Sequence, residues 1–144
     1  MLEAARSELG ADIPIVVRMN AVDYVEGGLE TKDALLLAGL LAQLGVDALS
    51  VTSGTMCESV PFCLYPSGTP EAHLLPMAEE IRNSSALPVI VAGRIRTPAV
   101  ARNALSAGQT DLIGLGRPLL ADPNWPRKAE TGDEEGILLC AACH

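Results

Sequence analysis

The sequence predicts a parallel α/β fold, and three observations carry that prediction. Helical runs alternate with short apolar strands along the whole chain. The strands lack the polar–apolar alternation of a half-exposed sheet, as expected where helices cover both faces. The connections between successive strands are too long for hairpins, which leaves crossover helices between parallel strands. A recurring junction supports the same reading: a helical run ends in glycine, aspartate follows, and an apolar strand begins. It occurs at Leu9-Gly10-Ala11-Asp12, Leu44-Gly45-Val46-Asp47 and Ala107-Gly108-Gln109-Thr110-Asp111. Glycine after the last helical turn takes the left-handed conformation that closes a helix.

In chain order, the first strand is expected over Ile13–Met19, after a short N-terminal helix. A helix over Thr31–Leu44 follows, with Thr31 as N-cap and a wide Leu/Ala face. The second strand is Ala48–Thr52. A helix over Pro70–Arg82 contains Pro76, which a helix accepts near its first turn. The third strand is Val89–Ala92. Thr97 and Pro98 then read as N-cap and first residue of a helix to Ala107, and Leu112–Leu115 is the fourth strand. Two connections after strand ends are long, 20–30 and 53–69, whereas the turns leading into strands are short. This asymmetry places the functional face at the C-terminal ends of the strands. Four strand–helix units make half of an eight-stranded barrel. The chain is therefore a fragment, or assembles with another copy, or leaves an open sheet with two exposed edges. The boundaries expected are 1–122 for the half-barrel and 123–144 for a closing helix and an extension.

Composition narrows the function classes. The net charge is −8 and the ten Lys and Arg are scattered, which argues against a nucleic-acid partner. No apolar run is long enough for a membrane span, and the N-terminus is acidic and amphipathic, unlike a signal peptide. A cytoplasmic protein is the default expectation. The four cysteines, Cys57, Cys63, Cys140 and Cys143, are too few for a disulfide scaffold. Cys140-Ala141-Ala142-Cys143 admits three readings: metal or Fe–S ligands, a redox pair, or coincidence. Ligands of a site completed downstream is the best of the three.

The tightest motif is a duplicated Gly-Arg turn. Gly93-Arg94 ends the third strand and Gly116-Arg117 ends the fourth, each just ahead of a helix. Glycine lets backbone N–H groups approach a ligand, arginine grips an anion, and a helix N-terminus adds partial positive charge. Two such turns on neighbouring strands form a cup for phosphate, as on the last two strands of (β/α)8 barrels.

Taken in order, Val16-Val17-Arg18-Met19-Asn20, Gly27-Gly28, Leu44 to Gly54, Pro88 to Ile95 and Asp111 to Pro123 resemble the old yellow enzyme family of FMN-dependent oxidoreductases. Cys140 and Cys143 narrow the resemblance to its iron–sulfur branch, which includes 2,4-dienoyl-CoA and enoate reductases. The resemblance implies a (β/α)8 TIM barrel with FMN at its C-terminal mouth, of which this chain is the C-terminal half, strands five to eight. It implies that Arg18 lies beside the flavin pyrimidine edge, where a fixed cation stabilises the reduced ring. It places Gly93, Arg94, Gly116 and Arg117 at the FMN phosphate. It makes Cys140 and Cys143 the first two of four ligands to a [4Fe–4S] cluster. The implied activity is NAD(P)H-driven reduction of the C=C bond of an α,β-unsaturated carbonyl compound. FAD and NAD(P)H sites would lie in the full-length enzyme, and the missing N-terminal half-barrel would be the partner of this one. The residue that protonates the substrate is not in this chain. Dienoyl-CoA reductases often carry a histidine after strand six; here Cys57 or Glu58 falls near that place, which leans the reading towards enoate reductases.

Plainer readings stand beside these. Arg18 could pair with Asp23 or with a barrel carboxylate. Cys57 and Cys63 read as packing residues, and His73 as surface or packing. Tyr24 and Tyr65 read as rim residues of a pocket. Arg96 reads as a surface residue or a helix-start pairing, Glu26, Glu30 and Glu58 read as solvated surface groups, and His144 has no assigned role. Two alternatives remain to the flavin reductase: a non-flavin phosphate-binding barrel enzyme, and an inactive truncated gene product.

Overall fold

The computed structural model describes residues 1–143; His144 lies outside the described residues. The order is α1 (Leu2–Leu9), β1 (Val16–Asn20), α2 (Thr31–Gln43), β2 (Ala48–Thr52), α3 (Val60–Leu64), α4 (Leu75–Ser85), β3 (Val89–Ala92), α5 (Pro98–Ser106), β4 (Leu112–Gly114), α6 (Arg117–Ala121) and α7 (Trp125–Thr131). The strands form one parallel sheet in the order β1-β2-β3-β4. Each strand pairs only with its sequence neighbours, which is the strand order of one half of a (β/α)8 barrel.

Several element ends differ from expectation, each for a local reason. The first strand starts at Val16 rather than Ile13. Side chains take the backbone groups before it: Arg6 Nη1 donates to the Ile13 carbonyl at 2.6 Å, and the Ile15 N–H donates to Asp47 Oδ2 at 2.7 Å. The cap of α2 is Glu30, not Thr31. Glu30 and Asp33 form a reciprocal capping box, leaving Thr31 as the first helical residue. The helix expected from Pro70 begins only at Leu75. Ala72 sits at φ 53° with its N–H on the Arg94 carbonyl, which breaks the helical ladder. The 53–69 connection contains the short helix α3, which the prolines and glycines around it hid. At α5 the expectation holds: Thr97 accepts from the Val100 N–H, and Pro98 opens the helix.

Along the strands, Val17 and Met19, Leu49 and Val51, and Val89 and Val91 point to one side, where they pack with Ala34, Ala38, Leu41, Ala78 and Ile81 of α2 and α4. That side is the core. Trp125 and Ile137 join it, so the C-terminal segment packs on the same unit. The other side is not covered as the apolar strands predicted. Val16 and Leu112 are half exposed there, and Arg18 and Ala92 are exposed. In a closed barrel this concave face is the packed interior, which is why the strands read as buried on both faces. No helix among the described residues is long and apolar enough to cross a membrane.

Candidate anion and cofactor site

At the C-terminal ends of the strands lies a cavity of about 370 Å³, within the size range of ligand pockets. Its walls include Arg18 from β1, Gly93 and Arg94 after β3, Gly116 and Arg117 after β4, and Cys140 from the C-terminal segment. Of the predicted site residues, only Cys143 is absent from its walls. Cys63, Leu64 and Tyr65, from the 53–69 connection, also line it.

The three arginines are held differently. Arg18 is exposed, and among the described residues no carboxylate pairs with it; its Nη2 lies 3.4 Å from Thr52 Oγ1. Asp23, the partner considered for it, instead accepts from Asn20 Nδ2 and the Leu29 N–H. Arg94, at φ 55°, donates Nε to the Thr69 carbonyl and Nη2 to the Ser67 carbonyl, both at 3.0 Å. Arg117 donates Nη2 to the Tyr65 carbonyl at 3.2 Å. The two cup arginines therefore also hold alternate carbonyls, 65, 67 and 69, of one loop. The helix contribution is smaller than expected. Thr97 already caps α5, and α6 is a single five-residue turn, so arginine and glycine carry the anion chemistry.

Tyr65 is the residue that sequence reasoning misplaced. It is buried, not at the rim, and takes φ 54°. Its hydroxyl accepts from the Ser53 N–H at 3.2 Å and lies 3.3 Å from Thr52 Oγ1. Its ring lies against Gly93, where an added Cβ would sit 2.7 Å from Cε2. His73 meets the same ring edge-on, with centroids 4.6 Å apart. Both imidazole nitrogens are buried without a hydrogen-bond partner among the described residues. Burial, and next the Arg94 cation, push the His73 pKa down, so the ring is neutral at pH 7. The sequence signal that could have found Tyr65 was its place between a strand end and the Gly93 turn, but no periodicity marks it.

The donor set suits a phosphate group: guanidiniums matched to phosphate geometry, and a Gly116 whose side-chain position opens onto empty space. The thiols fit a cluster only in part. Cys140 Sγ accepts from the Ala142 N–H at 3.3 Å, in a turn where Ala142 has φ 53°. All four cysteines are free, and no group of three or more metal-binding side chains occurs among the described residues. Two thiols are half of a four-cysteine ligand set. Cys57 is exposed, whereas Cys63 is half-buried with its Sγ 3.4 Å from Met56 Sδ. Tyr24 is exposed and does not line the cavity; its ring stacks on Phe62 at 4.2 Å between ring centroids. Arg96, expected at the surface or in a helix-start pair, lines the cavity, pairs with Glu71 and lends its carbonyl to the Trp125 indole N–H.

Comparison with known proteins agrees with this geometry. The family model described as NADH:flavin oxidoreductase / NADH oxidase family matches residues 1–135. A NADH oxidase of Thermoanaerobacter brockii is 35% identical over the whole chain, which covers 22% of that protein. A metal reductase of Desulforamulus reducens is 33% identical, again over the whole chain and 21% of the relative. Among solved structures, a 2-naphthoyl-CoA reductase superposes with a TM-score of 0.90 at 32% identity, over 99% of this chain and 22% of that one. Histamine dehydrogenase from Rhizobium sp. 4-9 superposes at 0.87 with 27% identity, over 99% of this chain and 20% of that one. The chain thus spans about a fifth of the length of these relatives. With the parallel strand order and the arginine-lined cavity at its C-terminal end, the match over residues 1–135 establishes that the chain belongs to the NADH:flavin oxidoreductase / NADH oxidase family.

Proposed function

We propose that this chain forms the phosphate side of the FMN site in an NAD(P)H-driven reductase that acts on C=C bonds of α,β-unsaturated carbonyl compounds. The observation that carries the reading is the convergence of Arg18, Gly93, Arg94, Gly116 and Arg117 on one cavity at the strand ends. When bound, FMN supplies the hydride-transfer chemistry. The chain's own part is binding and electrostatics. Arg94 and Arg117 would hold the phosphate oxygens, and Gly116, whose side-chain position is open, would admit them close to the backbone, while Gly93 in the same wall makes room for the Tyr65 ring. Arg18 places a fixed cation where negative charge collects on the reduced ring. Cys140 and Cys143 offer two thiolates to a [4Fe–4S] cluster, whose remaining ligands lie outside these residues. FAD and the nicotinamide are assigned to the longer protein, as is an N-terminal half-barrel that would cover the open face at Val16 and Leu112. The substrate class draws support from two similar proteins, the 2-naphthoyl-CoA reductase and a cinnamate reductase of Clostridium sporogenes that is 27% identical over 99% of this chain. A cytoplasmic setting, which keeps thiols reduced, suits the four free cysteines.

The test is flavin titration of the anaerobic chain, followed by quenching of flavin fluorescence, with FMN and riboflavin in parallel. FMN should bind and riboflavin should bind far less, and Arg94→Ala and Arg117→Ala should each remove the preference. Absence of FMN binding up to about 1 mM would overturn the reading. Binding of inorganic phosphate without flavin would favour a non-flavin phosphate-binding barrel instead.

A further inference from the structure

The residues that shape the anion cup come from three strand ends, and one residue, Tyr65, touches all three through its side chain and its carbonyl. The Tyr65 hydroxyl holds the Ser53 N–H at 3.2 Å and Thr52 Oγ1 at 3.3 Å, at the end of β2. Its ring covers Gly93 at the end of β3 so closely that no Cβ fits between them. Its carbonyl accepts from Arg117, which follows β4. Two residues on, the same loop is gripped by Arg94 through the carbonyls of Ser67 and Thr69. His73 meets the same ring in a T-shaped contact.

We propose that Tyr65 is a positioning residue of the cup. By tying the ends of β2 and β3 to the start of α6, it sets the separation and direction of Arg94 and Arg117 towards a bound phosphate. The proposal rests on the reading of that cavity as the FMN phosphate site. A residue held through its hydroxyl on one side and its carbonyl on the other leaves the guanidiniums little reorganisation to make on binding, and pre-organisation of this kind converts directly into affinity. Because the arginines are shared between anion and loop, the coupling is reciprocal: anion binding should slow backbone exchange in residues 65–69, and loosening the loop should weaken the anion.

Tyr65→Phe keeps the ring over Gly93 and removes the hydroxyl ties alone. In the ligand-free chain it should speed amide exchange at Ser53. With ligand, it should raise the Kd for FMN about tenfold, the cost of one buried hydrogen bond, while leaving weak riboflavin binding unchanged. A general loss of stability would weaken both flavins together. Thr52→Val, which removes one partner of the phenol at the end of β2, should reproduce a smaller loss of the same preference and covers the case in which Tyr65→Phe folds poorly. If the wild-type chain binds no flavin, inorganic phosphate is the probe, followed by amide shifts at Gly93 and Gly116. Failure of the flavin reading would then leave the phosphate effect of Tyr65→Phe intact. An FMN-to-riboflavin ratio unchanged in both variants overturns the proposal. So does phosphate affinity that ignores Tyr65, or a cup that binds no phosphate.

Discussion

Gly93→Ala gives the sharpest test of how the cup is built. The new Cβ would sit 2.7 Å from Tyr65 Cε2 and 3.0 Å from Cδ2, with the backbone at φ +134°, a region that residues other than glycine rarely adopt. The backbone conformation costs about 1–3 kcal/mol. The contact adds about 1–3 kcal/mol, because the ring cannot swing away. Its hydroxyl is held at Ser53 and the ring packs against His73. A combined cost of about 3 kcal/mol should lower the urea midpoint by about 2 M, taking an m-value near 1.5 kcal/mol/M. The assay is equilibrium urea unfolding followed by tryptophan fluorescence, since the single Trp125 is buried in the core. A double-mutant cycle separates the two causes. In a Tyr65→Leu background, whose shorter side chain withdraws the offending ring atoms, the cost of Gly93→Ala should fall by at least about 1 kcal/mol. An unchanged midpoint, or an equal cost in both backgrounds, refutes the claim that the ring and the glycine are fitted to each other.

The other predictions concern caps, charge and the loop. Thr97→Ala removes the side-chain acceptor of the Val100 N–H and should cost about 1 kcal/mol by thermal or urea unfolding, without altering the sheet's circular dichroism. Arg94→Ala releases the carbonyls of Ser67 and Thr69, so amide exchange between residues 66 and 72 should accelerate while that of α2 stays unchanged. Asp111 and Asp122 are held below the ordinary carboxylate range, Asp111 mainly by Arg82 and Asp122 mainly by Lys128. Groups of this kind stabilise fully above their unfolded pKa of about 3.9, and that contribution is lost as pH falls through the lowered folded value. The urea midpoint should therefore be flat from neutral pH to about 5 and drop below about 4. Asp122→Asn should lower the neutral plateau and shrink the acid drop, because Asp122 also anchors the Leu138 N–H that leads to the cysteine segment.

The parallel order, the four strands and the cap of α5 were legible because they rest on short-range rules: apolar runs, glycine stops, and a Thr-Pro helix start. Element ends were less legible wherever a distant side chain intervened. Arg6 and Asp47 take the backbone groups of residues 13–15, and the Arg94 carbonyl holds back the start of α4. Most of these partners lie tens of residues apart, and no local window contains them.

What the sequence determined by itself was the kind of site: two Gly-Arg turns after neighbouring strands and a fixed cation on a third. Residue type and strand-end position specify anion chemistry without a fold in view. Only the tertiary structure decided that Arg18, Arg94, Arg117 and Cys140 share one cavity, and that Tyr65 is buried in its wall rather than exposed at its rim. Tyr65 owes that role to a left-handed backbone turn and to partners at the ends of three different strands, and such a role exists only once the strands are laid side by side.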